Sequence, residues 1–162
     1  MNKHLEIKLE TLREFQTKYP NSHIGGSVGL MIRGIDVGRD ISLTDLDITT
    51  DKYEVTENTD YENRSDGNDF DYNVKKWFDS GYYVKIDIRI SANEQYDIIA
   101  FNGHLYNVSK LQDILKFKRI YAKKGTIKHY QDLCYIAFGE HRPLSIASIF
   151  PIDDTETYDL PF

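Results

Sequence analysis

The residues best suited to chemistry are three aspartates in two short segments. Asp45 and Asp47 flank Leu46 in the stretch 41–49 (ISLTDLDIT), where Leu46 and Ile48 alternate with the acids. This alternation predicts a strand, and side chains two apart on a strand share a face about 6–7 Å apart. Asp45 and Asp47 are therefore spaced to reach one metal ion together, or two neighbouring ions. Asp87 lies in the cleanest alternation of the chain, 82–90 (YYVKIDIRI), with Val84, Ile86, Ile88 and Ile90 on one face and Lys85, Asp87 and Arg89 on the other. If that strand pairs beside the first, Asp87 joins the same face. Three converging carboxylates repel one another unless a hard divalent cation neutralises them. Mg²⁺ takes such oxygen ligands and leaves positions open for phosphate oxygens. A solvated strand face also carries Asp-x-Asp, and Lys85 and Arg89 are positioned to pair with Asp87, so these residues alone leave a surface reading open.

Gly25-Gly26-Ser27 sits between a short strand candidate at 22–24 and a short helical stretch at 28–35 that Gly38 interrupts. Glycines let backbone N–H groups approach a phosphate, and the Ser27 hydroxyl adds a donor. A tight turn with Ser27 as a helix cap is the alternative. Lys118 lies on the apolar stripe of a later helix, with Leu111, Ile114, Leu115, Tyr121 and Ala122. An unpaired ammonium is costly to bury, so Lys118 is read as a phosphate contact, as a partner of the carboxylates, or as a lysine snorkelling from the stripe's edge. Lys128 and Asp132, four apart, read as a local surface pair that also involves His129. His23 reads as structural and Cys134 as core. Asp66 to Asp71 fails the calcium-loop pattern because Phe70 takes its fifth position.

These groups need elements to hold them. Leu5, Leu9, Leu12, Phe15 and Tyr19 recur at helical spacing over 3–19, and Pro20 stops the run. Residues 51–73 are polar and rich in Asn and Asp, and read as an acidic loop. Strands at 97–101 and 104–108 flank Asn102-Gly103, a strong hairpin turn. Ser109 and Gln112 suggest a capping box opening a helix that ends near Gly125. A further helix covers 127–137 and stops at Gly139, and Pro143 opens a last short one. The order of elements predicts one mixed α+β domain over residues 1–150, followed by an acidic tail over 151–162.

Composition bounds the function. The chain has 162 residues, enough for one domain that buries roughly two-thirds of its unfolded surface. With 20 Lys+Arg against 26 Asp+Glu, its formal charge is −6. That argues against a protein that coats nucleic acid, though not against a local nucleotide site. Cys134 is the only cysteine, which excludes an internal disulfide and a four-thiolate zinc site and suits a reducing cytoplasm. The charged start, MNKHLEIKLETLREF, lacks the apolar segment of a secretory signal, and no run of about 18 apolar residues offers a membrane span.

In their order, Gly26-Ser27, then Asp45-Leu46-Asp47-Ile48, then Ile86-Asp87-Ile88, the motifs resemble the nucleotidyltransferase superfamily of DNA polymerase beta-like fold. Arg39 and Ser42 look like the Arg-x-Ser approach of its bacterial members. Residues 105–133, with Lys118, Lys128, His129, Asp132 and Leu133, look like the C-terminal helices of the minimal and abortive-infection-toxin types. The resemblance covers roughly 20–137. It departs from the family in the eighteen-residue step from Ser27 to Asp45, which is longer than usual and suggests an insertion around Asp36–Asp40 or a displaced second strand. It implies a small mixed sheet flanked by helices and a nucleoside triphosphate bound by Gly25, Gly26, Ser27 and Lys118. It also implies one or two Mg²⁺ on Asp45, Asp47 and Asp87, with Asp87 ligating or accepting the acceptor's proton. The acceptor is a small molecule, a protein or a tRNA end. The alternative it implies is a catalytically silent member kept as an interaction module, with the acidic loop 51–73 or the tail 151–162 meeting a protein partner.

Overall fold

The computed structural model describes residues 2–64 and 70–141. The expected helix after Pro143, the tail 151–162 and most of the Asp66–Asp71 segment lie outside the described residues.

Among the described residues four α-helices, α1 (Lys3–Lys18), α2 (Gly26–Ile32), α3 (Leu111–Lys123) and α4 (Ile127–Phe138), pack with seven strands. The strands are β1 (His23–Ile24), β2 (Leu46–Thr50), β3 (Tyr61–Arg64), β4 (Tyr72–Trp77), β5 (Tyr83–Ile90), β6 (Tyr96–Phe101) and β7 (His104–Ser109). They form a single mixed sheet in the order β3-β4-β5-β2-β1-β7-β6. β2 runs parallel to β5 and β1 parallel to β7, and the remaining pairs are antiparallel. The α+β expectation therefore holds.

Local chemistry accounts for the ends. The Asn2 side chain accepts from the backbone N–H of His4 at 2.8 Å and opens α1. Asn102 and Gly103 both have positive φ, as the β6–β7 turn requires. Leu9 and Leu12 of α1, Val28 and Leu30 of α2, Ile114 and Leu115 of α3 and Leu133 of α4 join Ile24, Leu46, Ile48, Ile86, Ile88 and Val108 in one core. Gly29 packs α2 against β1 so closely that an added Cβ would stand 2.8 Å from the carbonyl oxygen of Ile24. Gly29→Ala is expected to lower stability by about 1–3 kcal/mol in urea denaturation, the usual range for overpacking.

Four expectations need correction. The strand at 41–49 begins only at Leu46. Residues Ile41–Leu43 form a 3-10 turn because the Asp40 carboxylate accepts from the Ser42 backbone and hydroxyl. The stretch 51–73 is not simply a loop. It contains β3, which pairs with β4, and Tyr53 is anchored among the rings of Phe15, Tyr19 and Tyr72. The Ser109–Gln112 capping box does not form. Lys110 is the N-cap of α3, and the Ser109 hydroxyl bonds His23 Nδ1 instead, at 2.6 Å. Finally, α2 starts at Gly26 itself and ends at Ile32 rather than spanning 28–35. Among the described residues no helix is long and apolar enough to cross a membrane.

Candidate functional site

Asp47 and Asp87 sit directly opposite each other on the parallel strands β2 and β5. Their neighbours Leu46, Ile48, Ile86 and Ile88 are fully buried, so strand alternation turns both acids to the other face. Asp45 immediately precedes β2 rather than lying within it. Lys85 bridges the group, with Nζ 3.2 Å from Asp45 Oδ2 and 3.8 Å from Asp87 Oδ1. Asp87 is 6% exposed, and its Oδ1 makes no hydrogen bond. Burial pushes the Asp87 carboxyl up to about 7, with the charge of Asp47 adding to the rise. Burial and the charge of Asp45 push Asp47 up to about 6. Arg89 pairs with Glu94 and Thr49 rather than with Asp87, and stacks its guanidinium 4.0 Å over the Phe117 ring.

The glycine turn meets the carboxylates. The Gly25 N–H donates to the Asp47 carbonyl at 2.8 Å, tying the turn to β2. Gly26 has φ +59, and any Cβ there would collide with the Asp47 carboxylate. Only glycine satisfies both conditions at this position.

Beyond the turn lies a buried charge network. Arg39 grips Asp132 with two hydrogen bonds, 2.8 and 2.7 Å. Lys118 Nζ donates to Asp132 at 2.7 Å and to the Ser27 hydroxyl at 3.0 Å, and Arg39 also donates to that hydroxyl at 2.7 Å. Lys118 is 2% exposed and Asp132 fully buried. The expected surface pair of Lys128 and Asp132 is thus overturned: Asp132 turns inward, where two cations compensate it. Nor does Lys118 snorkel. Burial pushes the Asp132 carboxyl up, but the hydrogen bonds and charges of Arg39 and Lys118 outweigh it and hold it below the usual range. Burial pulls the Lys118 ammonium down against the attraction of Asp132. Burial, with Lys118 and Lys128, pulls His129 down to about 4, so it is neutral at pH 7. Two cations against one carboxylate leave this corner positively charged.

Gly25, Gly26, Ser27, Asp45, Asp47, Asp87 and Lys118, the seven residues singled out in the sequence, line one cleft of about 200 Å³, which Phe117, Tyr121 and His129 also border. The long step from Ser27 to Asp45 leaves β2 in place between β1 and β5 and carries Arg39 into the network. His23 lies beneath, stacked on Tyr96 and bonded to Ser109, as a structural residue. Sequence reasoning missed Lys8. It is buried, and its ammonium donates to the carbonyls of Ser42 and Thr44, fixing the approach to Asp45. Burial lowers its pKa to about 8 despite the pull of Asp45. Its position among Leu5, Leu9 and Leu12 on the apolar stripe was the available signal.

The donors suit a hard divalent cation. They are carboxylate oxygens, and one of them is buried without a hydrogen bond. Among the described residues no three His, Cys, Asp or Glu side chains form a group able to hold a metal ion by themselves. A cation here therefore depends on one or two carboxylates together with oxygens from a substrate, a common arrangement for Mg²⁺. Comparison with protein-family models, curated proteins and solved structures finds no match to this chain.

Proposed function

We propose that the cleft binds a nucleoside triphosphate with a divalent cation and transfers its nucleoside monophosphate to a hydroxyl, releasing pyrophosphate. The observation that carries this reading is the direct opposition of Asp47 and Asp87 on adjacent parallel strands, at the foot of the Gly25-Gly26-Ser27 turn. The Ser27 hydroxyl and Lys118 stand on the cationic side of the cleft and take polyphosphate oxygens. Asp87, opposite Asp47 and with one oxygen that makes no hydrogen bond, is placed to accept the acceptor hydroxyl's proton. A cation held by Asp47 with Asp45 or Asp87 supplies neutralisation of the triphosphate and lowers the pKa of the acceptor hydroxyl. The acceptor is a small molecule, a protein or a tRNA end.

One contact favours a second reading, a catalytically silent interaction module. Lys85 already sits between Asp45 and Asp87, as a built-in positive charge would. Thermal denaturation with Mg²⁺ and each of the four nucleoside triphosphates separates the two. At ligand near 100 times Kd, binding stabilises by about 2.7 kcal/mol, a rise of several degrees in Tm. The expected outcome is such a rise with at least one triphosphate, lost in the Asp45→Asn/Asp47→Asn double variant. No rise with any triphosphate would favour the module.

A further inference from the structure

We propose that Lys85 and a divalent cation compete for the same carboxylate oxygens, so that the cleft holds a free cation weakly and takes cation and triphosphate together. The inference rests on the nucleotidyl-transfer reading and concerns how that site loads. Lys85 precedes Asp87 by two residues on β5 and so shares its face. Its ammonium stands on Asp45 Oδ2 and near Asp87 Oδ1, the oxygen without a hydrogen bond. Those are the atoms an incoming cation must reach.

Lys85 differs from the other two inward lysines of this region. Lys118 and Lys8 are buried and bonded to fixed partners, whereas the Lys85 side chain is 39% exposed. It can swing into water without being stranded in the interior. Its direct cross-strand neighbour is Lys75, whose ammonium lies 4.8 Å from the centre of the Tyr83 ring. Like charges facing across a strand pair repel, which keeps Lys85 leaning toward the acids at rest. A free cation must displace this ammonium and gains only one or two carboxylates. A cation arriving on a triphosphate brings its remaining oxygen ligands, and the added phosphate charge offers the displaced ammonium a new partner. Lys85 thereby acts as a positioning and specificity residue.

The test measures Mn²⁺ binding by calorimetry and by loss of the free-ion electron paramagnetic resonance signal. It compares wild type, Lys85→Gln, Lys85→Arg and Asp47→Asn, each with and without a non-hydrolysable α,β-methylene nucleoside triphosphate. Circular dichroism confirms folding of each variant. Lys85→Gln is expected to bind free Mn²⁺ about ten-fold more tightly than wild type, equivalent to about 1.4 kcal/mol of competition removed. Lys85→Arg keeps the weak binding, and the analogue narrows the gap between wild type and Lys85→Gln. Equal affinity of wild type and Lys85→Gln for the free ion, with Asp47→Asn binding more weakly than either, overturns the role of Lys85 and leaves the nucleotidyl-transfer reading standing. No Mn²⁺ binding by any variant alone, and none with the analogue beyond what the analogue binds without protein, overturns both.

Discussion

Asp132→Asn is expected to cost about 3–5 kcal/mol of folding stability, the range seen when one partner of a buried ion pair is removed. The folded margin of a typical domain is only about 5–15 kcal/mol, so the urea midpoint should fall steeply. The cause is what remains behind. Lys118 is 2% exposed, and without Asp132 its ammonium keeps the Ser27 hydroxyl and His129 as hydrogen-bond partners and the charge of Asp47 as a weaker attraction. Arg39, partly exposed, can turn outward, so most of the penalty falls on Lys118. A double variant, Asp132→Leu with Lys118→Met, removes both charges and should recover much of the loss, because apolar replacement of a whole buried pair is often neutral. A surface pair between Lys128 and Asp132, the reading the spacing suggested, would be worth only about 0.3–0.5 kcal/mol. A loss below 1 kcal/mol in Asp132→Asn would restore that surface reading and remove Asp132 as the anchor of Ser27 and Lys118.

Asp132 also shows where sequence reasoning stops. Period-two alternation made β5 and the β6–β7 hairpin legible, since one buried face and a turn dipeptide fix them locally. It also showed that Asp47 and Asp87 would share a face if their strands paired. What alternation cannot supply is which strand lies beside which. The neighbours β2 and β5 are separated in the chain by β3 and β4, both of which lie on the other side of β5 in the sheet. The 51–73 stretch reads as loop because β3 is an edge strand of Tyr, Glu, Asn and Arg, with no buried face to create a pattern. The strand onset was missed because Asp40 captures the Ser42 N–H and diverts the backbone into a turn. Lys118 was conspicuous on an apolar stripe, and the same logic, pursued further, calls for an inward acid on the next helix. Asp132 escapes that logic because a local partner four residues away already accounts for it. Lys8, on the stripe of α1, escaped because its partners are backbone carbonyls, which carry no sequence signature.

Asp87→Asn is expected to show the opposite behaviour and raise stability at pH 8. Folding lifts the Asp87 carboxyl to about 7, against an ordinary value near 3.9 in the unfolded chain. Between these values the folded protein keeps a proton that the unfolded chain has released, so stability falls as pH rises from about 4 to 7. Below about 4 both states are protonated and the penalty vanishes; above about 7 it is fully present. At about 1.36 kcal/mol per unit, the separation corresponds to a penalty on the order of 4 kcal/mol at pH 8. Asparagine carries no charge, so the variant should match wild type near pH 4 and exceed it at pH 8, which urea denaturation at pH 4, 6 and 8 would read directly. Asp47, lifted to about 6 by burial and the charge of Asp45, adds its own decline over a narrower window, which Asp87→Asn leaves in place. If Asp87→Asn instead weakens the protein at pH 8, the ion pair with Lys85 outweighs burial and the carboxylate serves the fold. If the gain appears, the chain carries at Asp87 a group its fold would be firmer without. The demand that keeps an oxygen without a hydrogen bond in that cleft must then come from what the cleft binds.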